Sequence, residues 1–191
     1  MQHPVVLDPV TVELIRTRLA SIVREMRTVI IRTAYSPMII EGHDFSSAVL
    51  TAQGELVAAS ELEQPTHISA LSWCAKAIVA KYADDIGAGD MFLHNDPYTG
   101  GSHLNDVGLF YPVFHDGAPL AMVGVMAHWQ DVGGTLGGVT TDIYSEGIQI
   151  PIVRYQNAGA VNEDLVAIIR MNVRIPERAM GDLRAQVAAA A

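Results

Sequence analysis

Behind Asp8-Pro9, apolar residues recur at steps of three and four: Val12, Ile15, Leu19, Ile22, Met26 and Val29. A capping side chain before a proline at the first helical position, followed by this period, predicts a long N-terminal amphipathic helix. Glu13, Arg16, Arg24 and Arg27 fall on its polar face, and Tyr35-Ser36-Pro37 ends it, because the residue before proline is driven out of helical geometry. Residues 45–51 and 55–59, joined by Ala-Gln-Gly, read as a hairpin. Ile68, Leu71, Ala75, Ile78 and Val79 give 66–82 a helical period, closed by Gly87 and Gly89. From Met91 the pattern shortens to strands at 91–94, 107–114 and 120–127, the last two joined by a turn at His115-Asp116-Gly117. Asn162-Glu163-Asp164 starts a helix through Val173, and Pro176 starts a shorter one ending in alanines. The elements describe an α+β fold with a mixed or antiparallel sheet and flanking helices. Its core covers about 8–175, with a C-terminal helical tail at 176–191.

Two turn-rich segments interrupt the pattern, 95–103 and the Gly-rich 131–141. Loops carried on a rigid sheet are where chemistry concentrates.

Composition narrows the field. Half of the 191 residues are hydrophobic and 17% are charged, which suits a packed core. A net charge of −9 repels phosphate backbones and anionic lipid, so neither nucleic acid nor a membrane is an expected partner. The longest apolar run, 120–127, is broken by Gly124 and is far too short to span a bilayer. The N-terminus lacks a secretory pattern, and Cys74 stands alone in an apolar stretch, so a soluble chain in a reducing cytoplasm is expected.

Charge is unevenly placed. Residues 33–153 hold 14 of the 21 acids and six of the seven histidines, with Lys76 and Lys81 as their only bases. Carboxylates and imidazoles without competing cations suit a divalent metal, and spacing strengthens that reading. His103-Leu-Asn-Asp106 is followed, one hairpin later, by His128-Trp-Gln-Asp131. Since a hairpin returns the chain to its start, His103, Asp106 and His128 should meet at one sheet end, a set able to hold Mn, Fe or Zn with positions left for water and substrate. Asp131 is a candidate fourth ligand or an acceptor for an imidazole N–H. Asp44, at the start of the first hairpin, is a candidate ligand or general base, with a strand-start cap as the plainer reading. His67 reads as a structural residue at a helix start and Asp96-Pro97 as a turn, while His94 and His115 lack an evident partner. No Gly-x-x-x-x-Gly-Lys-[Ser/Thr] loop, Gly-x-Ser-x-Gly elbow or Cys-x-x-Cys pair is present, so this chain should not bind ATP through a P-loop or hydrolyse through serine or cysteine.

The loop Asn95-Asp96-Pro97-Tyr98-Thr99-Gly100-Gly101-Ser102-His103-Leu104-Asn105-Asp106 strongly resembles the hydantoinase B/oxoprolinase family, which includes the large subunits of acetone and acetophenone carboxylases. Asp8-Pro9-Val10-Thr11, Arg32-Thr33-Ala34-Tyr35-Ser36-Pro37, Asp44-Phe45-Ser46, His128-Trp-Gln-Asp131-Val-Gly-Gly134, Tyr144-Ser-Glu146-Gly147-Ile148 and Gly181-Asp182-Leu183 resemble that family's N-terminal half, in order. The resemblance implies a Mn-type ion on His103, Asp106 and His128. It also implies a hydantoinase A-like partner subunit that binds ATP and phosphorylates the small-molecule substrate. Family subunits continue well beyond this length, so residues 1–191 correspond to an N-terminal portion, with a remaining C-terminal part or a further subunit as an additional partner. Trp129, where many relatives carry another residue, is a candidate for substrate choice. The expected function is therefore the metal-bearing subunit of an ATP-dependent amidohydrolase complex acting on cyclic amides. The alternatives are a ketone carboxylase subunit, a non-catalytic assembly subunit that docks through its long helix, and a stand-alone metallohydrolase.

Overall fold

In a computed structural model that describes residues 8–136 and 140–191, Asp8 caps the first helix, α1 (Pro9–Thr33), by accepting the Thr11 N–H at 3.1 Å. Only the C-terminal half of α1 is buried, through Val23, Met26, Arg27 and Ile30, whereas Val12, Ile15 and Ile22 of the apolar stripe are exposed. Arg27 is not on the solvent face as expected. Its guanidinium lies over the Phe45 ring and 3.5 Å from the buried Glu63 carboxylate, so its charge is paired under the hairpin rather than hydrated. A short α2 (Pro37–Ile40) follows the predicted break.

The chain then forms β1 (Phe45–Thr51), β2 (Leu56–Ala59), α3 (Pro65–Tyr82), β3 (Met91–His94), β4 (Asp106–His115) and β5 (Ala118–His128). All were legible from periodicity. The β4–β5 turn uses Asp116 and Gly117, both at positive φ, the geometry that lets a tight turn match the strand twist. Two further strands, β6 (Val153–Asn157) and β7 (Ala160–Val161), were not anticipated. Val153 and Tyr155 alternate with Arg154 and Gln156, but the run is short; β6 is placed by pairing with β3, and the two-residue β7 by pairing with β6.

The strands make one sheet in the order β2-β1-β5-β4-β3-β6-β7, and every pairing is antiparallel. Alternation divides its side chains between two cores. Ala48, Leu50, Phe92, Phe110, Met122 and Met126 face α3 and its Leu71, Cys74 and Ile78. Phe45, Leu93, Leu109 and Val125 face the other way, against Met26 and Ile30 of α1. Gly124 keeps the α3 side close, because a Cβ there would stand 2.9 Å from Leu71 Cδ2.

After α4 (Glu163–Asn172), the last helix, α5 (Pro176–Ala190), is longer than its predecessor and is no peripheral tail. Its Ala179, Met180 and Leu183 are buried in the α1-side core. Buried Gln186 accepts the Trp129 indole N–H at 2.9 Å and donates to the carbonyls of Val107 and Val125 at 2.8 and 3.2 Å. Asp182 accepts the N–H groups of Tyr35 and Ser36 at 2.7 and 3.0 Å. Burial nevertheless pushes the Asp182 carboxyl above its ordinary range, a rise that those hydrogen bonds only partly offset. No helix of the described residues is long and apolar enough to cross a membrane.

Candidate metal centre

Asp106 opens β4 and His128 closes β5, and the register makes them direct partners. Even-numbered positions of both strands face α3, so both side chains emerge on that side, at the end of the sheet. His103 reaches the same point from the turn before β4, where its carbonyl accepts the Asp106 N–H at 3.0 Å. Asn105 and Trp129 exchange two bonds of 2.8 Å, locking the two His-x-x-Asp segments side by side. Buried Asn95 holds the loop from below, donating to the carbonyls of Leu104 and Ile148 and accepting the Ile150 N–H.

Asp106 is the centre of the cluster. Its Oδ1 lies 2.9 Å from His103 Nε2 and 3.2 Å from His128 Nδ1. Its Oδ2 lies 3.3 Å from His67 Nε2 and accepts the Ser102 hydroxyl. The carboxylate side chain is 3% exposed, against 20% for His128 and 45% for His103, so the site runs from a buried anion to an open imidazole. Burial by itself would raise the Asp106 pKa. Hydrogen bonds from His103, His128, His67 and Ser102 outweigh burial and hold it well below the ordinary carboxylate range. The bond to Asp106 raises His103 in turn, against the effect of its own partial burial. Ligand atoms of His103, Asp106 and His128 all lie within 4.8 Å of one another.

Asp44, just before β1, stands beside this group, 3.7 Å from His128 Nδ1 and 3.8 Å from His67 Nε2, with its side chain 31% exposed. Its carbonyl accepts the His128 N–H at 3.0 Å, which extends the β1–β5 pairing to the site. Asp131 is turned away. Its oxygens accept the Gly133 N–H at 3.0 Å, the Arg174 guanidinium at 2.7 Å and the Arg174 main-chain N–H, so it organises the loop instead of joining the cluster. Trp129 is not at the site either: it is fully buried on the α5 side.

His67 is the residue that the sequence reading undervalued. It shares a face with Leu71, Cys74 and Ile78 at helical spacing, so the period that buries those residues against the sheet also aims His67 there. Asp96 caps the turn at 97–99, as expected. His94 stacks on Phe110 within the core, and burial pushes it down to about 4. Burial pushes the free Cys74 thiol up to about 12. His115 is exposed next to Asp116. A cleft of about 340 Å³ opens beside His103, lined by Tyr98, Ser102, Thr140, Asp142 and Glu146. A second cavity of about 180 Å³, more apolar, lies on the α5 side, between Trp129, Asp131, Arg174 and Arg178.

An antiparallel sheet whose end gathers imidazoles around one buried carboxylate has the donor set of a site for a divalent cation. The chain belongs to the hydantoinase B/oxoprolinase family, whose model matches residues 8–191. It is 37% identical over 189 residues to an uncharacterized protein of Methanocaldococcus jannaschii, covering 95% of this chain and 33% of that protein. It is 32% identical over 187 residues to the caprolactamase subunit beta of Pseudomonas jessenii, covering 96% and 32%. It is also 32% identical to the 5-oxoprolinase of Dictyostelium discoideum, covering 96% and 15%. The crystal structure of the ATP-dependent caprolactamase from P. jessenii superposes with a TM-score of 0.87 at 29% identity, over 96% of this chain and 32% of that one. The nucleotide-free structure of an acetone carboxylase gives 0.88 at 20% identity, over 96% and 25%, a likeness of fold. The chain thus spans about a third of the length of the first two relatives.

Proposed function

We propose that this chain is the metal-bearing part of an ATP-dependent amidohydrolase complex of the hydantoinase and oxoprolinase type, acting on cyclic amides. The observation that carries the reading is the cluster of three ligand atoms, from His103, Asp106 and His128, within 4.8 Å of one another on a buried anion. The donor set fits: two imidazoles and one carboxylate suit Mn, Fe or Zn. Lewis-acid polarisation of an oxygen, or a lower pKa for bound water, is the chemistry such an ion supplies. His103 Nε2, Asp106 Oδ1 and His128 Nδ1 would hold it.

The chain's own residues then divide the work. Asp44, partly exposed and within 4 Å of His128, is placed to take a proton from an attacking water as general base. The cleft beside His103 offers the substrate hydroxyls and carboxylates, so it receives a group that donates hydrogen bonds, such as an amide N–H. ATP is assigned to a hydantoinase A-like partner, as the family resemblance implies, and the lack of a P-loop in this sequence is consistent with that division. The rest of a B-type subunit supplies the remaining contacts. Two relatives at 32% identity are named a caprolactamase subunit and a 5-oxoprolinase, which favours hydrolysis over ketone carboxylation. A purely structural subunit would have no use for a buried carboxylate ringed by imidazoles.

The test is elemental analysis of the purified complex, wild type against His103→Ala/His128→Ala, together with ATP-dependent opening of hydantoin, 5-oxoproline and caprolactam. Near-stoichiometric Mn, Fe or Zn, lost together with turnover in the variant, is the expected result. Equal metal in both proteins would overturn the ligand assignment.

A further inference from the structure

The two oxygens of Asp106 have different surroundings. His103 and His128 both face Oδ1, whereas His67 and Ser102 both face Oδ2. His67 comes from the first turn of α3, a helix anchored beneath the sheet by Leu71, Cys74 and Ile78, and its side chain is only 4% exposed. It is not one of the three residues whose ligand atoms share a 4.8 Å neighbourhood.

We propose that His67 is a positioning residue: its Nε2–H holds Asp106 Oδ2, leaving Oδ1 to face His103, His128 and the cation between them. The inference rests on the metal reading above. Its tautomer follows from the surroundings. Nε2 points at two carboxylates, Asp106 Oδ2 at 3.3 Å and Asp44 Oδ1 at 3.8 Å, where a lone pair would be repelled and an N–H is attracted. Nδ1 is buried with no hydrogen-bond partner among the described residues, so a proton there would leave a donor unsatisfied, at a cost of about 1–3 kcal/mol. Both conditions place the proton on Nε2. A lone pair committed to a metal is then absent from the nitrogen nearest the site, which makes His67 an orienting donor and not a fourth ligand.

The physical consequence is selection of one oxygen. An ionised carboxylate presents two equivalent oxygens and turns about its last bond, so an unrestrained Asp106 would meet an ion in several geometries. A rigid donor on one oxygen removes that freedom, the outer-shell function that typically contributes 10–100-fold to metal affinity. Ser102 assists from a loop, whereas His67 stands on a helix and sets the direction.

The experiment compares wild type with His67→Ala, His67→Gln and His103→Ala in the native complex, each checked for fold by circular dichroism and a cooperative melt. Mn, Fe and Zn per chain are measured, and Mn(II) affinity is obtained by chelator competition. His67→Ala should bind Mn(II) about 10–100-fold more weakly. His67→Gln, whose amide N–H can reach Oδ2, should recover most of that loss, and His103→Ala should lose the metal. Wild-type affinity in His67→Ala would overturn the proposal in favour of a purely structural histidine. Loss in both His67 variants as complete as in His103→Ala would overturn it in favour of a ligand. If His67→Ala fails to fold, a folded His67→Gln without metal would overturn it. Metal absent from wild type would remove the underlying reading as well, an outcome visible in the wild-type measurement without any variant.

Discussion

Asp106 and His128 are register partners across β4 and β5, and that pairing alone brings Asp106 Oδ1 to 3.2 Å from His128 Nδ1. Twenty-two residues separate them in the chain, yet the β4–β5 turn sets their approach. A shift of one residue in that register would send one of the two side chains to the α5 face and dissolve the site. The hairpin is therefore what assembles the cluster.

The two acids of the paired motifs should separate in a single experiment. Asp106→Asn removes the anion that three imidazoles surround, and should lower metal affinity by about 100-fold or more. Asp131→Asn, whose contacts are with Arg174 and Gly133, should keep wild-type metal content. Elemental analysis of both proteins checks this, and equal metal loss would contradict the placement of Asp131.

Acid should destabilise the fold partly through His94. Burial holds its folded pKa down to about 4, against an ordinary value near 6.5, so between those values the unfolded chain binds a proton that the folded chain does not. Stability from this residue is complete above about pH 6.5 and falls by about 3 kcal/mol on the way to pH 4. His94→Phe, which keeps an aromatic ring against Phe110, should flatten that part of the curve in urea titrations run at a series of pH values. Parallel curves for the two proteins would disprove the assignment.

Gln186 ties α5 to the sheet through three hydrogen bonds in a fully buried place. Gln186→Ala strands the Trp129 indole N–H and two carbonyls, and should lower stability by about 2–4 kcal/mol. Chemical denaturation gives the number. A change below about 0.5 kcal/mol, the range of surface substitutions, would mean that α5 is not held as described.

Cys74 should be inert in the folded protein. It is buried, and its thiol is pushed up to about 12, so almost no thiolate exists near neutral pH. Alkylation by iodoacetamide should follow unfolding, with label appearing only as denaturant passes the transition. Rapid labelling under native conditions would show an accessible thiol.

Local rules were enough wherever neighbours in sequence are neighbours in space. The period of α1 and α3, the prolines at their starts and the Asp116-Gly117 turn are short-range signals, and each element formed where those signals lie. Because the β4–β5 hairpin is itself local, the meeting of His103, Asp106 and His128 could be reasoned out from spacing, and the motifs around them sufficed to indicate the family. Contacts between distant segments had no such signal. Arg27 is polar by type and lies where a solvated face is expected, but Glu63 and Phe45 bring it inside. Asp131 repeats the spacing of Asp106, yet Arg174, 43 residues away, draws it off. His67 looks like any residue at a helix start until α3 packs beneath the sheet and sets its ring against Asp106 Oδ2. Periodicity specifies which face of an element is buried; only packing of the whole chain specifies what that face meets, because the partner of each buried polar group is chosen by long-range burial and charge rather than by its sequence neighbours.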